Sequence, residues 1–234
     1  MASTLTQELL DPILTTDPAG PRVTYYDDAT GERVEVSGVT LANWAAKTAN
    51  FLRDELGVEP GTRVSVLLPA HWQTAAVLLG AWWAGADVTL RADPDVEVAL
   101  VHGGRIDDAG DVPEVVALSL DAFGRPVPDL PVGVTDYATS VRVHGDQFRP
   151  SGQSGALDGR SVDEVLGAAR ARAEAHSIAV GDRVLSSLPW TTADELIDGL
   201  LSVLAAGASL VQVSSPDDSK TERRVATEKV TKTL

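Results

Sequence analysis

The chain of 234 residues contains no cysteine. That absence removes disulfides, thiolate zinc sites and cysteine nucleophiles from consideration. Lysine is scarce as well, four residues against fifteen arginines, and acidic residues outnumber basic ones 34 to 19. A formal charge of −15 argues against nucleic acid, because neutralising phosphates needs clustered Lys and Arg. It argues equally against anionic membrane surfaces. No run of 18 apolar residues occurs, so no membrane span is expected. The opening "MASTLTQELLDP" lacks the basic and apolar regions of a signal peptide, which makes the cytoplasm the expected location. Catalytic motifs are missing too: no Walker loop, no G-x-G-x-x-G and no G-x-S-x-G. The four histidines have no metal-type spacing, so neither a metal site nor a catalytic residue is assigned.

What is present is α/β patterning. After a short arm, "RVTYYDDATGERVEVS" (22–37) reads as two strands around a turn, with Val, Thr and Tyr flanking Asp28 to Gly31. In "TLANWAAKTANFLRDELG", Leu41, Trp44, Ala45, Thr48, Leu52 and Leu56 recur at helical spacing; Thr40 reads as the N-cap and Gly57 as the stop. Two later segments then match each other. "GTRVSVLLP" (61–69) leads through an apolar helix to "AGADVTL"; "GDRVLSSLP" (181–189) leads through "WTTADELIDGLLSVL" to "AGASLVQV". Strand, helix and strand within about 30 residues imply parallel strands joined by a crossover, and two copies imply two α/β lobes. "VEVALVH" (96–102) and "EVVALSL" (114–120) add buried strands, and the Pro-rich interval 121–150 reads as a mostly irregular connector. Ser161-x-x-Glu164 opens a helix over 161–175, and the tail ends as a polar helix with Lys229 and Lys232 in its last turns. The expected domains are an arm and hairpin (1–37), a first lobe with its connector (38–145), and a second lobe carrying the glycine loop and C-terminal helix (146–234).

The stretch with most chemical promise is "SGQSGALDG" (151–159). Three glycines and two serines form a loop whose backbone N–H groups and hydroxyls can surround a phosphate. Taken alone it reads as a phosphate site, a disabled one, or an exposed connector. Where such a loop usually carries a cation, this one carries Asp158.

The order of these pieces resembles the N-terminal part of the adenylate-forming superfamily: acyl-CoA synthetases, luciferases and peptide-synthetase adenylation domains. "VSGVTLANWAAKTANFLRDELGVEPGTRVSVLLPAHWQTAAVLLGAWWAGADV" looks like its first subdomain, and "SIAVGDRVLSSLPWTTADELIDGLLSVLAAGASLVQV" like the unit after its phosphate loop. The chain is similar in particular to a group of short actinobacterial proteins related to these enzymes. The family loop, Ser-Gly-Thr-Thr-Gly-x-Pro-Lys-Gly, aligns without a gap. Ser151, Gly152, Gly155 and Gly159 keep its serine and glycines, Gln153 and Ser154 stand at its threonines, and Asp158 stands at its lysine. At contact, a lysine attracts phosphate by about 4 kcal/mol for an effective dielectric near 20, and an aspartate reverses the sign.

The resemblance implies an adenine-binding stretch, a ribose aspartate and a lobe bearing a catalytic lysine, all beyond residue 234. The expectation is therefore a truncated, catalytically inactive relative without a cofactor, with a binding role toward a small ligand or a protein partner. Two alternatives stand beside it. One is a nucleotide-dependent acyl-activating half-enzyme using ATP or AMP with Mg²⁺ and completed by another chain. The other is a structural homodimer. At the strand-to-helix corners of the two copies, His71, Trp72 and Gln73, and likewise Trp190 and Thr191, are candidates for a pocket wall at the edge of the sheet. Of the adjacent Trp82 and Trp83, one is expected in the core and the other over a lobe interface or a partner.

Overall fold

Two patterns of alternating strand and helix yield two sheets, each in its own compact unit, in the computed structural model, which describes residues 3–234. The elements in chain order are α1 (Leu5–Thr16), β1 (Pro21–Asp27), β2 (Glu32–Ser37), α2 (Gly38–Asp54), β3 (Arg63–Leu67), α3 (Trp72–Ala84), β4 (Asp87–Thr89), β5 (Val98–His102), β6 (Glu114–Leu118), β7 (Val134–Asp136), α4 (Tyr137–Val141), α5 (Val162–Ala175), β8 (Arg183–Ser186), α6 (Ala193–Leu196), α7 (Ser202–Ala205), β9 (Ser209–Ser214), α8 (Asp218–Glu228) and β10 (Lys232–Thr233).

The first unit comprises residues up to Gln7, Ala42–Leu68 and Ala76–Val162. Its sheet, ordered β4-β3-β5-β6-β7, is parallel throughout. Strands buried on both faces read as unbroken apolar runs, and Val98 to Val101 are all fully buried. Within this unit α2 and α3 approach closely at Gly80, where an added Cβ would lie 2.5 Å from Thr48 Cβ. Tyr137 is buried beside them, its hydroxyl 2.7 Å from Thr48 Oγ1, and burial pushes the phenol's pKa upward. Trp82 is fully buried; Trp83 is half-buried, its ring 6.1 Å from that of Phe148.

The second unit comprises Glu8–Leu41, Pro69–Ala75 and Asp163–Leu234. Its sheet runs β10-β8-β9-β1-β2, parallel except for the antiparallel β1–β2 hairpin. Both copies of the repeat therefore form parallel pairs, β3 with β4 and β8 with β9. A buried ionic cluster ties the C-terminal end of α8 to this sheet. The Glu228 carboxylate, 4% exposed, accepts from the Tyr26 hydroxyl, from Arg183 Nη2, and from Arg33 Nε at 3.0 Å. Burial alone would raise its pKa, but those three donors hold it below the ordinary glutamate value.

Several boundaries differ from the sequence reading. The arm contains helix α1, with Leu5, Leu9, Leu10 and Ile13 buried along one side. The hairpin is not a separate segment but an edge of the second sheet, through pairs such as Val23 with Leu210. Residues 151–159 lie in the first unit instead of the second, because they bond to β4. The α2 cap is Ser37, whose Oγ accepts from Thr40 N at 3.2 Å. The connector holds β7 and the short α4, capped by Asp136. The apolar helix after β8 passes through a π turn, Ile197–Leu201, between α6 and α7. At the tail, α8 stops at Glu228 and Lys229 takes a left-handed cap (φ 52°). Lys232 thus lies in β10, paired with Val184 instead of ending a helix.

Candidate functional site

The loop at 151–159 is built onto an edge strand. Val88 N donates to Ala156 O at 3.0 Å, and Asp158 N donates to Val88 O at 2.9 Å. Leu157 is thereby bridged to Val88, giving the exposed edge of β4 a partner. Ala156 and Leu157 are fully buried, and Trp82 Nε1 donates to Ala156 O at 2.6 Å. Gln153 is a strut: its Oε1 accepts from Leu5 N at 2.8 Å, and its Nε2 donates to Ala86 O at 3.2 Å. Gly85, at φ 93°, lies so close under the loop that a Cβ there would stand 2.5 Å from Gly152 O. Within the loop, an added Cβ at Gly152 or Gly159 would meet nothing within 4 Å, and their positive φ of 125° and 77° is what calls for glycine there.

Three of the loop's backbone donors, Ala156 N, Asp158 N and Gly159 N, are already engaged. Ala156 N binds Arg160 O at 2.7 Å, and Arg160 N returns to Leu157 O at 3.1 Å. Gly159 N points at the Asp87 carboxylate, 3.0 and 3.1 Å from its two oxygens. The same carboxylate lies against Gly155, where an added Cβ would stand 3.0 Å from Asp87 Cγ. A side-chain anion thus sits where the loop's backbone could receive a phosphate. Asp158, at φ 51°, takes the left-handed conformation that aspartate tolerates better than most residues. Its Oδ1 accepts from Thr89 Oγ1 at 2.8 Å and lies 3.5 Å from Arg91 Nη1. Thus two carboxylates bear on the loop, Asp158 within it and Asp87 from β4, and Arg91, a nearby cation, faces Asp158. Sequence reading singled out Asp158 and missed Asp87, Thr89 and Arg91, which the β4 pairing brings in from some 70 residues earlier.

The two corners meet within the second unit, where Ala70 N donates to Pro189 O at 3.2 Å. They are packed instead of open: His71, Trp72, Gln73 and Trp190 are all 5% exposed or less. His71 Nδ1 accepts from Gln73 N at 3.1 Å, which places the proton of a neutral ring on Nε2, 3.6 Å from Glu32 Oε1. Its ring meets Tyr25 edge-on at 4.3 Å. Trp190 holds φ 58° and lies over Gly199 of the π turn, where an added Cβ would stand 2.8 Å from its Nε1. Thr191 is exposed, and its Oγ1 donates to Glu195 Oε2 at 2.7 Å. That bond is the chief reason Glu195 is held below its ordinary pKa.

Among the clefts of the second unit are one of about 370 Å³ and one of about 210 Å³. The larger lies between the β1–β2 turn and α8, the smaller beside the ends of β8 and β9, and Arg224 borders both. Neither is lined by the corner residues or by the loop. Among the described residues, no group of three or more His, Asp or Glu side chains could hold a metal ion, and no helix is long and apolar enough to cross a membrane.

No protein-family model matches the chain. A TIGR03089 family protein of Mycobacterium tuberculosis (strain ATCC 25618 / H37Rv) is 58% identical over 240 residues, covering 99% of this chain and 98% of the relative. Among solved structures, Brucella canis acyl-CoA synthetase superposes with a TM-score of 0.79 at 16% identity, over 99% of this chain and 47% of that one. The N-terminal domain of FACL13 from Mycobacterium tuberculosis gives 0.73 at 16% identity, over 98% and 62%. A Mycobacterium tuberculosis fatty acyl CoA synthetase gives 0.73 at 17%, over 97% and 48%. The chain thus spans about half the length of the whole synthetases it matches. It carries the fold of their N-terminal domain, with two mostly parallel sheets flanked by helices. By its identity over nearly the full length of both chains, it belongs to the TIGR03089 family.

Proposed function

We propose that this protein is a catalytically silent relative of the adenylate-forming enzymes, with a binding role toward a small ligand or a protein partner. The observation that carries the reading is the Asp87 carboxylate on Gly159 N, against Gly155. Adenylation develops negative charge on phosphates, and catalysis needs preorganised donors and cations at that point. This loop offers two carboxylates instead, and Arg91 is turned to Asp158. No nucleotide cofactor follows from such a site.

The second reading is an acyl-activating half-enzyme, in which a separate chain supplies the missing cations around ATP or AMP and Mg²⁺. The fold it shares with the N-terminal part of the synthetases favours it. Calorimetric titration of the wild-type protein with ATP, AMP, Mg²⁺ and an acyl-CoA separates the two. The expected result is no saturable nucleotide heat. Saturable ATP binding that a Ser154→Ala/Gly155→Val double change abolishes would overturn the silent-loop reading. A dimer mass in solution with no ligand response would point to a structural homodimer.

A further inference from the structure

The larger cleft of the second unit has its charges sorted onto two walls. One wall is α8. Lys220, Arg223, Arg224 and Thr227 fall at spacings of three, four and seven, so they share one face of the helix. The other wall is the β1–β2 turn, with Asp27, Asp28 and Glu32 around Gly31, which has no side chain to block the opening. The Tyr26 ring lies between them, with Arg224 Cζ 4.6 Å from its centroid.

Some of these groups are spent. Asp28 Oδ1 receives Arg224 Nη2 at 2.5 Å, Asp28 Oδ2 receives Asp217 N at 2.9 Å, and Lys220 Nζ donates to Asp28 O at 3.0 Å. Others are not. Among the described residues Arg223, which is exposed, forms no hydrogen bond or ion pair. Arg224 is 6% exposed, and its Nε is buried without an acceptor. Opposite, Asp27 accepts from Ala29 N and Thr30 Oγ1, both at 3.0 Å, and among the described residues has no cationic partner. One wall therefore keeps an unpaired cation and the other an unpaired anion.

That arrangement selects by charge pattern. A simple anion drawn to Arg223 meets the Asp27 carboxylate across the cleft, and a simple cation drawn to Asp27 meets the Arg223 guanidinium. A ligand with an ammonium at one end and an anionic group at the other meets opposite charge at both. The cleft volume of about 370 Å³ is at the small end for ligand sites, and Tyr26 offers an apolar surface for a short carbon skeleton. We infer that the cleft between the β1–β2 turn and α8 binds a small zwitterion, with its ammonium toward Asp27 and its carboxylate, sulfonate or phosphate toward Arg223. This inference rests on the binding role proposed above and names its ligand class. It assigns that ligand to residues other than those of the glycine loop.

The test is an amide-resonance titration of the full chain with L-leucine, taurine and phosphoethanolamine, which share the zwitterionic pattern and differ in the anion. Acetate and ethylammonium are the single-charge controls. The expected result is saturable movement of the Gly31 and Thr227 amides by at least one zwitterion. Each control should bind at least tenfold more weakly, and Arg223→Ala should weaken the zwitterion at least tenfold. Arg223 has no partner to lose, so that variant should melt with wild type. Asp27→Asn, which keeps one of the turn's two acceptor oxygens, should weaken binding similarly. Acetate binding as well as the zwitterions, or no zwitterion moving these amides at about 10 mM, overturns the inference. An ATP arm is read at Ala156, Asp158 and Gly159, so failure of the silent-loop reading registers separately from failure at the cleft.

Discussion

If the carboxylates of Asp87 and Asp158 are what keep a phosphate out of the loop, then neutralising them should let one in. Asp87→Asn and Asp158→Asn are suitable changes, because each keeps an oxygen for the bond it makes, from Gly159 N or from Thr89 Oγ1. Asparagine also tolerates φ 51° at position 158. A phosphate oxygen in the cradle would stand roughly 4 Å from each carboxylate, where like charges repel by about 1 kcal/mol in water and about 4 kcal/mol at an effective dielectric of 20. Asp158 keeps 23% of its side chain exposed, so the watery end of that range is the safer one. Removing both charges should then gain at least about 2 kcal/mol, or about thirtyfold in ATP affinity. The assay is calorimetric titration with ATP in EDTA, so that no divalent ion bridges phosphate and carboxylate, with thermal melts to confirm that the variants fold. Wild type binding ATP as tightly as the double variant would refute the electrostatic reasoning. So would a folded double variant that still shows no binding, because charge would then not be what closes the loop.

Gly80→Ala should cost about 1–3 kcal/mol in urea unfolding, because the new Cβ would stand 2.5 Å from Thr48 Cβ and 2.8 Å from Ala45 O. Trp82→Phe removes the indole donor to Ala156 O and should cost about 1–2 kcal/mol; hydrogen exchange at Asp158 and Gly159 should quicken in step with the loss. Glu228→Gln should cost about 2 kcal/mol at neutral pH, less than a fully enclosed pair because Arg33 is 44% exposed. Glu228 has a depressed pKa when folded, so its contribution is present above the ordinary glutamate value and disappears as pH falls through the folded one. The stability gap between Glu228→Gln and wild type should therefore close in acid, and a gap unchanged to pH 2 would show that the carboxylate's charge does not carry it.

The sequence made the strand–helix–strand units legible because they are local: a glycine turn, a strand ending in Leu-Pro and a helix closing on Ala-Gly-Ala are all written in consecutive residues. The apolar side of α1 was equally present, with Leu5, Leu9, Leu10 and Ile13 buried, but Pro12 in mid-helix makes the stretch read as an arm. Long-range pairing was not legible. Nothing between 22 and 37 says that the hairpin joins β9, and nothing between 151 and 159 says that the loop joins β4. The end of α8 was misread because Val230 packs against the cluster of Leu185, Val211 and Val213, which draws the chain into β10 and leaves Lys229 as a left-handed cap. At the corners, residue type suggested a pocket, while burial decided otherwise for His71, Trp72, Gln73 and Trp190.

The internal repeat nevertheless carries one signal that bears on the site. Aligning "AGADV" with "AGASL" sets Asp87 opposite Ser209, and aligning "GTRV" with "GDRV" sets Thr62 opposite Asp182. The structure keeps the same backbone bond in both copies, Asp87 N to Thr62 O at 2.9 Å and Ser209 N to Asp182 O at 3.0 Å. The position itself therefore does not call for a carboxylate. In the second copy the Ser209 hydroxyl turns back to Asp182 O at 3.4 Å, a weak local contact. In the first, the side chain reaches 72 residues forward to Gly159 N. The two copies thus separate what the strand needs from what the loop receives. A serine is enough to start the second strand of such a unit, so the acid at 87 acts on the loop and not on the strand that bears it. This difference makes Asp87, which lies outside the loop, the residue on which the reading of the loop turns.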